Sequence, residues 1–419
     1  MGLTIETKFC AQGWSLGVCV LRKVTRHHML GVFCGTSICM ASTVSFAEML
    51  SILNYETKAE ESLEALQIQG TDNGRREGIA IVELDPESVE YGRIIIDIPT
   101  SPEFVLHHIF YNRDATKAYV TALQTETLHV IDLTRFPYRL IPIPTPGCKV
   151  QENIIFSDDN TTWYVTCMGS ANVIVGDAVT DQAIRTISMP GTYPHGIALH
   201  EGIDRIVVAS CVAPDFSGTG HTIEVIKAST GEYLGSIPVS DKKGAAPVEI
   251  VFVPGSDPPV AYVTNMMSNT LWAAVWDRVN ETFRTTQLFS FKEVGAYMPL
   301  EIYFNKAVDR LYITSADPGM FHVFDISNGP LQPVLVKSLE TAGGAHHVAI
   351  TPDESRAYVQ NSLLNLPGIN DGSITVIDLV KLEVTGTIDT FKDKGLAPNS
   401  ITMLPKWYNP AGHFNNGLP

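Results

Sequence analysis

Beyond residue 47 the sequence has no stretch with a sustained 3.6-residue hydrophobic period, which leaves nothing to build a helical bundle or a layered α/β fold from. It has no Walker loop, no G-x-G-x-x-G after a strand and no G-x-S-x-G elbow, so nucleotide-fold and serine-hydrolase chemistries have no motif behind them. Positive charge is scarce. Against 45 acidic residues stand 29 Lys and Arg, a net charge of −16 over 419 residues. That balance argues against nucleic acid or an anionic membrane as main partner. Glycine (32) and proline (25) occur at ordinary levels, spread along the chain, and exclude collagen-like or disordered readings. What is present is 45% apolar residues, enough for one large domain or two ordinary ones.

The N-terminus differs from the rest. "LRKVTRHH" supplies positive charge, "MLGVFCGTSICMASTVSFA" is apolar and small, and "SFA" ends at a cleavage site after Ala47. Residues 1–47 read as an export signal with a long n-region. The alternative is a membrane anchor, but the run is near the lower limit for spanning and is diluted by Ser and Thr. Removing it takes away four cations and one anion, so 25 cations face 44 anions and the charge becomes −19. The mature protein is expected in a periplasmic or secreted setting, without stable membrane insertion. Four of the seven cysteines leave with the signal. Cys148, Cys167 and Cys211 allow at most one internal disulfide and one free thiol.

A repeat organises the remainder. "LHHIFYNRDATKAYVTA", "QENIIFSDDNTTWYVTC", "PHGIALHEGIDRIVVAS", "PVEIVFVPGSDPPVAYVTN", "PLEIYFNKAVDRLYITS" and "AHHVAITPDESRAYVQN" each give a short strand, a polar turn and a second strand, and "PNSITMLP" gives the first strand alone. Hairpins such as "HTIEVIKASTGEYLGSIPV" lie between them. Period-two alternation with turn residues at the joints means antiparallel strands. Seven such four-stranded repeats predict an all-β, seven-bladed β-propeller over 65–404. Residues 48–64 read as a polar lead-in and 405–419 as a tail. "EALQIQG" (64–70) and the hairpin at 79–98 supply three strands, and "PNSITML" the fourth, so the two chain ends share one blade and leave no open edge.

In such a ring the first strand of each blade lines the central channel. The two columns that open these strands are His107–His108, Glu152–Asn153, His195–Gly196, Val248–Glu249, Leu300–Glu301, His346–His347 and Asn399–Ser400. Five histidines and three glutamates fall in these fourteen positions. Imidazoles converging from several blades make a transition-metal site, with carboxylates as supporting partners. Neighbouring strand residues point to opposite faces, so one histidine of each pair faces the axis unless a bulge turns both inward. A lone histidine in "PHG" also has a plain packing role, and Glu249 and Glu301 are equally suited to bonding the next blade. His129, His200, His221, His322 and His413 fall off the columns and read as solvated or structural. Cys167 and Cys211 end the second strands of neighbouring blades and read as small core residues, while Cys148 lies near the channel mouth. "NTT" at 160 and "NET" at 280 are glycosylation sequons by pattern only.

"DPESVEYGRIIIDIPTSPEFVLHHIFYN" resembles the selenium-binding protein family, which includes the methanethiol oxidases. Asp85, Pro86, Ser88, Tyr91, Pro99, His107, His108, Tyr111 and Asn112 carry the likeness. "MPLEIYF" (298–304) resembles another stretch of that family, as does "SLLNLPGINDGSITVIDL" more loosely. The repeats also resemble the wider YVTN-type propellers, whose members need not be enzymes. The resemblance implies a seven-bladed propeller that uses a copper centre to oxidise a small thiol with oxygen. Only His107 and His108 carry over by motif. The family's early cysteine is replaced by the glycine of "LQIQGTDNG", and its Ala-His-Glu stretch by "LAPNSITM", so His195, His346 and His347 are candidates to complete the ligand set.

The expectation is an exported metal-dependent oxidoreductase acting on a small organic molecule with oxygen. Its metal, copper first and iron second, is expected on His107, His108, His195, His346 and His347. Glu249, Glu301 and Glu152 are expected to orient imidazoles or move protons, and Phe110, Tyr111, Tyr193 and Met298 to supply apolar walls. The alternatives are a non-catalytic periplasmic scaffold and a metal-dependent lyase or lactonase.

Overall fold

The computed structural model describes residues 49–65 and 74–405. The export signal read at 1–47 lies outside them, as do all but the first residue of the 405–419 tail. The described chain forms seven four-stranded antiparallel sheets. Their inner strands are Leu396–Met403, Leu106–Tyr111, Gln151–Phe156, Pro194–His200, Pro247–Phe252, Tyr297–Phe304 and Ala345–Ile350. We number the blades 1 to 7 in that order. Each inner strand touches those of both neighbouring blades, so the ring closes. Among the described residues the one α-helix is Glu60–Ala65, and no helix is long and apolar enough to cross a membrane.

Burial follows from blade stacking. Inner strands such as Leu106–Tyr111 and Pro247–Phe252 are buried along their whole length, because a neighbouring blade covers each face. The outermost strands, such as Ile94–Thr100 and Glu232–Pro238, alternate, because they border solvent. The core is therefore divided into wedges between adjacent blades. Ile109 and Tyr111 pack with Ile52 and Ile79 between blades 1 and 2, and Tyr358 packs with Leu53 and Tyr55 between blades 7 and 1. Similar wedges fill the other five interfaces.

The chain ends do share blade 1, but through a different segment from the one expected. Its second strand is Leu50–Thr57, inside the segment read as a lead-in, and it pairs with both Glu77–Glu83 and Leu396–Met403. Of "EALQIQG", Glu64 and Ala65 are helical and the rest lies outside the described residues. The reason is polar content. Ser51, Asn54 and Glu56 are all buried, so the strand lacks the alternation that marks one. Their burial is compensated by bonds: Asn54 Nδ2 donates to Leu106 O (2.8 Å) and His107 O (3.0 Å), and Glu56 accepts from Arg75 Nη2 (3.0 Å).

A second correction concerns the cysteines. Cys167 pairs with Cys148 in a disulfide within blade 3, with Cα atoms 5.0 Å apart. Cys211 is the free, buried thiol. The pairing is possible because the link is within a blade, between the segment entering the inner strand and the end of the second strand, and not across blades.

Candidate metal centre

Every inner strand breaks register with its partner at the same place. In blade 2, Leu106 pairs with Ala122 and Ile109 with Val120, so His107 and His108 both face Thr121. The same one-residue excess occurs at Glu152–Asn153 opposite Thr166, His195–Gly196 opposite Ala209, Leu300–Glu301 opposite Thr314 and His346–His347 opposite Gln360. Blades 5 and 1 each carry one extra residue at Val248 and Asn399. These are β-bulges, and a bulge re-aims side chains that a flat strand would alternate. Alternation alone predicts one inward histidine per pair; the bulge brings both members of each pair into the same buried centre.

Second-strand side chains hold the bulges. Thr121, Thr166, Thr264 and Thr314 accept at Oγ1 from the N–H groups of His108 (3.0 Å), Asn153 (2.9 Å), Glu249 (3.4 Å) and Glu301 (3.3 Å). Two of these hydroxyls donate onward to the next blade, Thr166 to His195 O at 2.6 Å and Thr264 to Leu300 O at 2.5 Å. In blades 7 and 1 amides take the place of the threonine: Gln360 Nε2 donates to Asn399 O at 2.9 Å, and Asn54 donates to Leu106 O and His107 O. Blades 4 and 5 approach so closely that a Cβ on Gly196 would lie 2.6 Å from Val248 O and 2.8 Å from Glu249 Cα. The glycine of "PHG" is fixed by that contact.

The bulges gather two groups of candidate ligands, all buried. His108, Glu301, His346 and His347 offer ligand atoms within 4.8 Å of one another, and so do His107, Glu152 and His195. In the second group Glu152 Oε2 lies 3.1 Å from His107 Nε2 and 3.5 Å from His195 Nε2. In the first, Glu301 Oε1 lies 3.4 Å from His346 Nε2 and Glu301 Oε2 lies 3.8 Å from His347 Nδ1. Ligands about 2.0–2.1 Å from a tetrahedral ion are separated from one another by about 3.3–3.4 Å. Three of the four separations lie within about 0.3 Å of that figure. Glu152 Oε2 reaches both imidazoles of its group at once, so the three ligand atoms lie close enough together to share one ion.

Protonation fits ligation. His108 Nδ1 lies 3.1 Å from Glu152 O, and a ring N–H donated to that carbonyl leaves the lone pair on Nε2. His108 Nε2 is buried and has no hydrogen-bond partner. Burial, reinforced by His107, His347, His346 and His195, pushes the His108 pKa well below its ordinary value, so the ring stays neutral. Burial also lowers the His195 pKa, against an opposing effect of Glu152. Burial alone would raise the Glu152 pKa, but His195 and His107 outweigh it and the carboxyl stays below its usual range. Tyr303, buried near Glu301, is held protonated; its hydroxyl lies 3.3 Å from His347 Nδ1 and accepts from Val348 N–H at 3.0 Å.

Other candidates fall elsewhere. Glu249 belongs to neither group: its Oε2 accepts from Asn153 Nδ2 (3.1 Å) and its Oε1 from Ile250 N–H (2.9 Å). Asn399 Nδ2 lies 3.3 Å from both Glu56 Oε1 and Leu106 O. Tyr111 packs between blades 1 and 2 and donates to Met403 O at 2.8 Å, so it is no channel wall. Phe110 packs between blades 2 and 3 and meets the His108 ring edge-on at 5.5 Å. Tyr193 and Met298 do flank the centre, in an apolar collar with Met168, Cys211, Met266 and Leu363. That collar includes Val248 and Leu300, which sit in the bulges themselves. His129 is buried against Phe104, and His322 lies between Ser315 Oγ (3.0 Å) and Ser338 Oγ (2.8 Å). His413 lies outside the described residues. Asn54 and the threonine column are supporting residues that the search for ligands misses; the "YVT"-type ending of the second strands was the signal for the threonines, and Asn54 in "LSILNYET" had none.

No protein-family model matches the chain, and no curated protein matches it in sequence. Solved structures resemble it in fold. A hypothetical selenium-binding protein from Sulfolobus tokodaii has a TM-score of 0.69 at 14% identity, covering 89% of this chain and 96% of its own. A putative 6-phosphogluconolactonase from Bacteroides fragilis gives 0.56 at 13%, covering 85% and 98%. Hydrazine synthase from Kuenenia stuttgartiensis gives 0.54 at 14%, covering 73% and 92%. At these identities the likeness establishes the propeller and nothing about the reaction.

Proposed function

We propose that the chain is an exported, metal-dependent oxidoreductase that acts on a small organic molecule with oxygen. Copper is the preferred metal and iron the next. One observation carries this reading: five histidines and two glutamates from five blades converge, buried, at ligand spacing. A bound copper or iron ion would supply redox chemistry toward oxygen. The chain's own residues do the rest. His108 presents a neutral lone pair, Glu152 stays ionised beside His107 and His195, Glu301 orients His346 and His347, and Tyr303 keeps its proton next to His347. Met168, Cys211, Met266 and Leu363, with Met298 and Tyr193 at the edge, exclude water and favour a small, weakly polar substrate. The family likeness in "DPESVEYGRIIIDIPTSPEFVLHHIFYN" favours a thiol. The Cys148–Cys167 disulfide supports an oxidising compartment. A small-molecule substrate, and no nucleic acid, fits the −16 charge.

The test is metal analysis with turnover. Purified protein supplied in turn with copper, iron, zinc and manganese should retain a stoichiometric transition metal and consume oxygen with members of a thiol panel. Retained metal with lactone hydrolysis and no oxygen uptake would replace the oxidase with a hydrolase. No metal retained under any condition would leave a binding scaffold.

A further inference from the structure

The adjacent histidines of blade 2 do not serve one group. His107 belongs with Glu152 of blade 3 and His195 of blade 4; His108 belongs with Glu301 of blade 6 and His346 and His347 of blade 7. No residue is shared. The two rings stack with centroids 3.8 Å apart, while His107 lies 6.3 Å from His346 and His108 lies 6.1 Å from His195. The groups are therefore separate but adjacent, joined through one bulge.

A single ion does not account for seven such donors. Imidazole and carboxylate sites for transition ions use three or four protein ligands, with any remaining position open. The larger group already supplies four. The smaller is complete in itself as a three-ligand site: two imidazoles and a carboxylate, with measured edges of 3.1 and 3.5 Å. It is not a supporting layer for the larger group. A supporting carboxylate would hold the outer nitrogen of a single ligating imidazole, whereas one oxygen of Glu152, Oε2, reaches the Nε2 atoms of both His107 and His195. Each group contains one carboxylate, so each offsets part of a divalent charge.

We propose that the centre holds two transition-metal ions, one on His107, Glu152 and His195 and the other on His108, Glu301, His346 and His347. Ions in paired sites typically lie about 3.5–4 Å apart, which the stacked His107 and His108 rings make reachable. Blade 2 is then the bridge, and its bulge exists to send two consecutive side chains to two different ions. The smaller site has the open coordination, and His195 is the most solvent-accessible of the site's side chains at 11%, so this ion is the one small molecules reach first. The inference deepens the metal-centre reading above and rests on it.

Metal-depleted full-length protein is loaded with Cu²⁺, and separately with Zn²⁺, and bound metal is measured after removal of excess. Two ions per chain are expected, falling to one in His195→Ala and in the near-isosteric Glu152→Gln, and to one in the His346→Ala, His347→Ala double variant. Cu²⁺-loaded wild type should show an electron paramagnetic resonance signal integrating to well below two spins through coupling. Glu152→Gln should show one uncoupled spin. Apo-state thermal midpoints identify variants that fail to fold, and Glu152→Gln, the least disruptive, decides in that event. One ion in wild type that survives Glu152→Gln overturns the two-ion proposal but leaves the metal reading. Two ions lost together in Glu152→Gln overturn the partition. No ion in wild type overturns both.

Discussion

Replacing Asn54 by Leu tests whether the blade 2 bulge is held from blade 1. Asn54 sits at 1% exposure and donates to Leu106 O and His107 O at 2.8 and 3.0 Å. Leucine matches its shape and removes both donor hydrogens. Leu106 O keeps a second donor, Asn399 Nδ2, at 3.3 Å, so that loss costs about 1 kcal/mol; His107 O loses the Asn54 donor, at about 1–3 kcal/mol. The expected loss is about 2–4 kcal/mol of stability. Because the freed carbonyl is that of a candidate ligand, the histidine pair should also lose its fixed aim, and metal affinity should fall about 10–100-fold, as for other supporting partners. Urea unfolding of the apo protein measures the first effect. Competition for Cu²⁺ against a chelator, at a urea-free temperature well below the variant's midpoint, measures the second. If Asn54→Leu loses the expected stability while Cu²⁺ affinity stays within twofold of wild type, the bulge is set within blade 2 and the argument fails.

Gly196→Ala should lose stability by about 1–3 kcal/mol or more through overpacking, because its new Cβ meets the backbone at Val248 and Glu249; an unchanged urea midpoint would show that blades 4 and 5 can part. Reduction of Cys148–Cys167, which closes a 19-residue separation, should cost about 3 kcal/mol on the chain-entropy account, read as a lowered midpoint in reductant that Cys148→Ser already shows without it. Burial lowers the His322 pKa from 6.5 to about 3. A depressed histidine means the unfolded chain binds a proton that the native state refuses. Stability is therefore full above pH 6.5 and falls as pH drops toward 3, by roughly 3–5 kcal/mol. His322→Gln should flatten that limb, and an identical pH 7-to-4 decline in both proteins would refute the assignment.

The ring was legible because its signal is repeated: six two-strand units, each ending in a "YVT"-like strand, leave one architecture. The columns of candidate ligands were legible for the same reason, since the repeat aligned His107, Glu152, His195, Glu301 and His346 before any coordinates did. What the pattern hid has a common cause. Leu50–Thr57 was hidden because a strand whose Ser51, Asn54 and Glu56 serve as buried bonding groups does not alternate. The division of His107 from His108 was hidden because a bulge adds a residue without any composition of its own. Glu249 read like Glu301 in sequence, yet Asn153 in blade 3 binds the first while His346 and His347 face the second. The Cys148–Cys167 pairing depends on a loop path that repeat alignment does not carry.

The bulges come at a conformational cost that the fold answers locally. The residue two before the bulge pair has positive φ in five blades: Val105 (50°), Val150 (54°), Ala246 (53°), Met298 (56°) and Gly344 (94°). Four of these are not glycine and two are β-branched, where the left-handed region costs about 1–2 kcal/mol each. Such a conformation persists only where neighbours fix it. Here the carbonyls of Val105, Val150 and Ala246 each accept from the first N–H beyond the second strand, that of Leu123 (2.9 Å), Met168 (2.8 Å) and Met266 (2.8 Å). In blade 3 the disulfide adds a covalent tie two residues before Val150. Blade 4 dispenses with the left-handed residue but keeps the bond, from Cys211 N–H to Tyr193 O at 2.8 Å. The turn therefore sets where each inner strand begins, the bulge sets where its first two side chains point, and Met168, Cys211 and Met266, which follow the same second strands, are carried into the collar by the bonds that hold the turn. Wall and ligands are thus positioned by one repeated hydrogen bond. Valine to glycine at 105 would relieve the strain, and it should raise rather than lower metal affinity only if strain, and not the bond to Leu123, is what limits the aim of His107 and His108. A Val105→Gly protein that binds Cu²⁺ less tightly, with the same apo stability, would identify the stiff β-branched residue as part of the device that orders the centre before metal arrives.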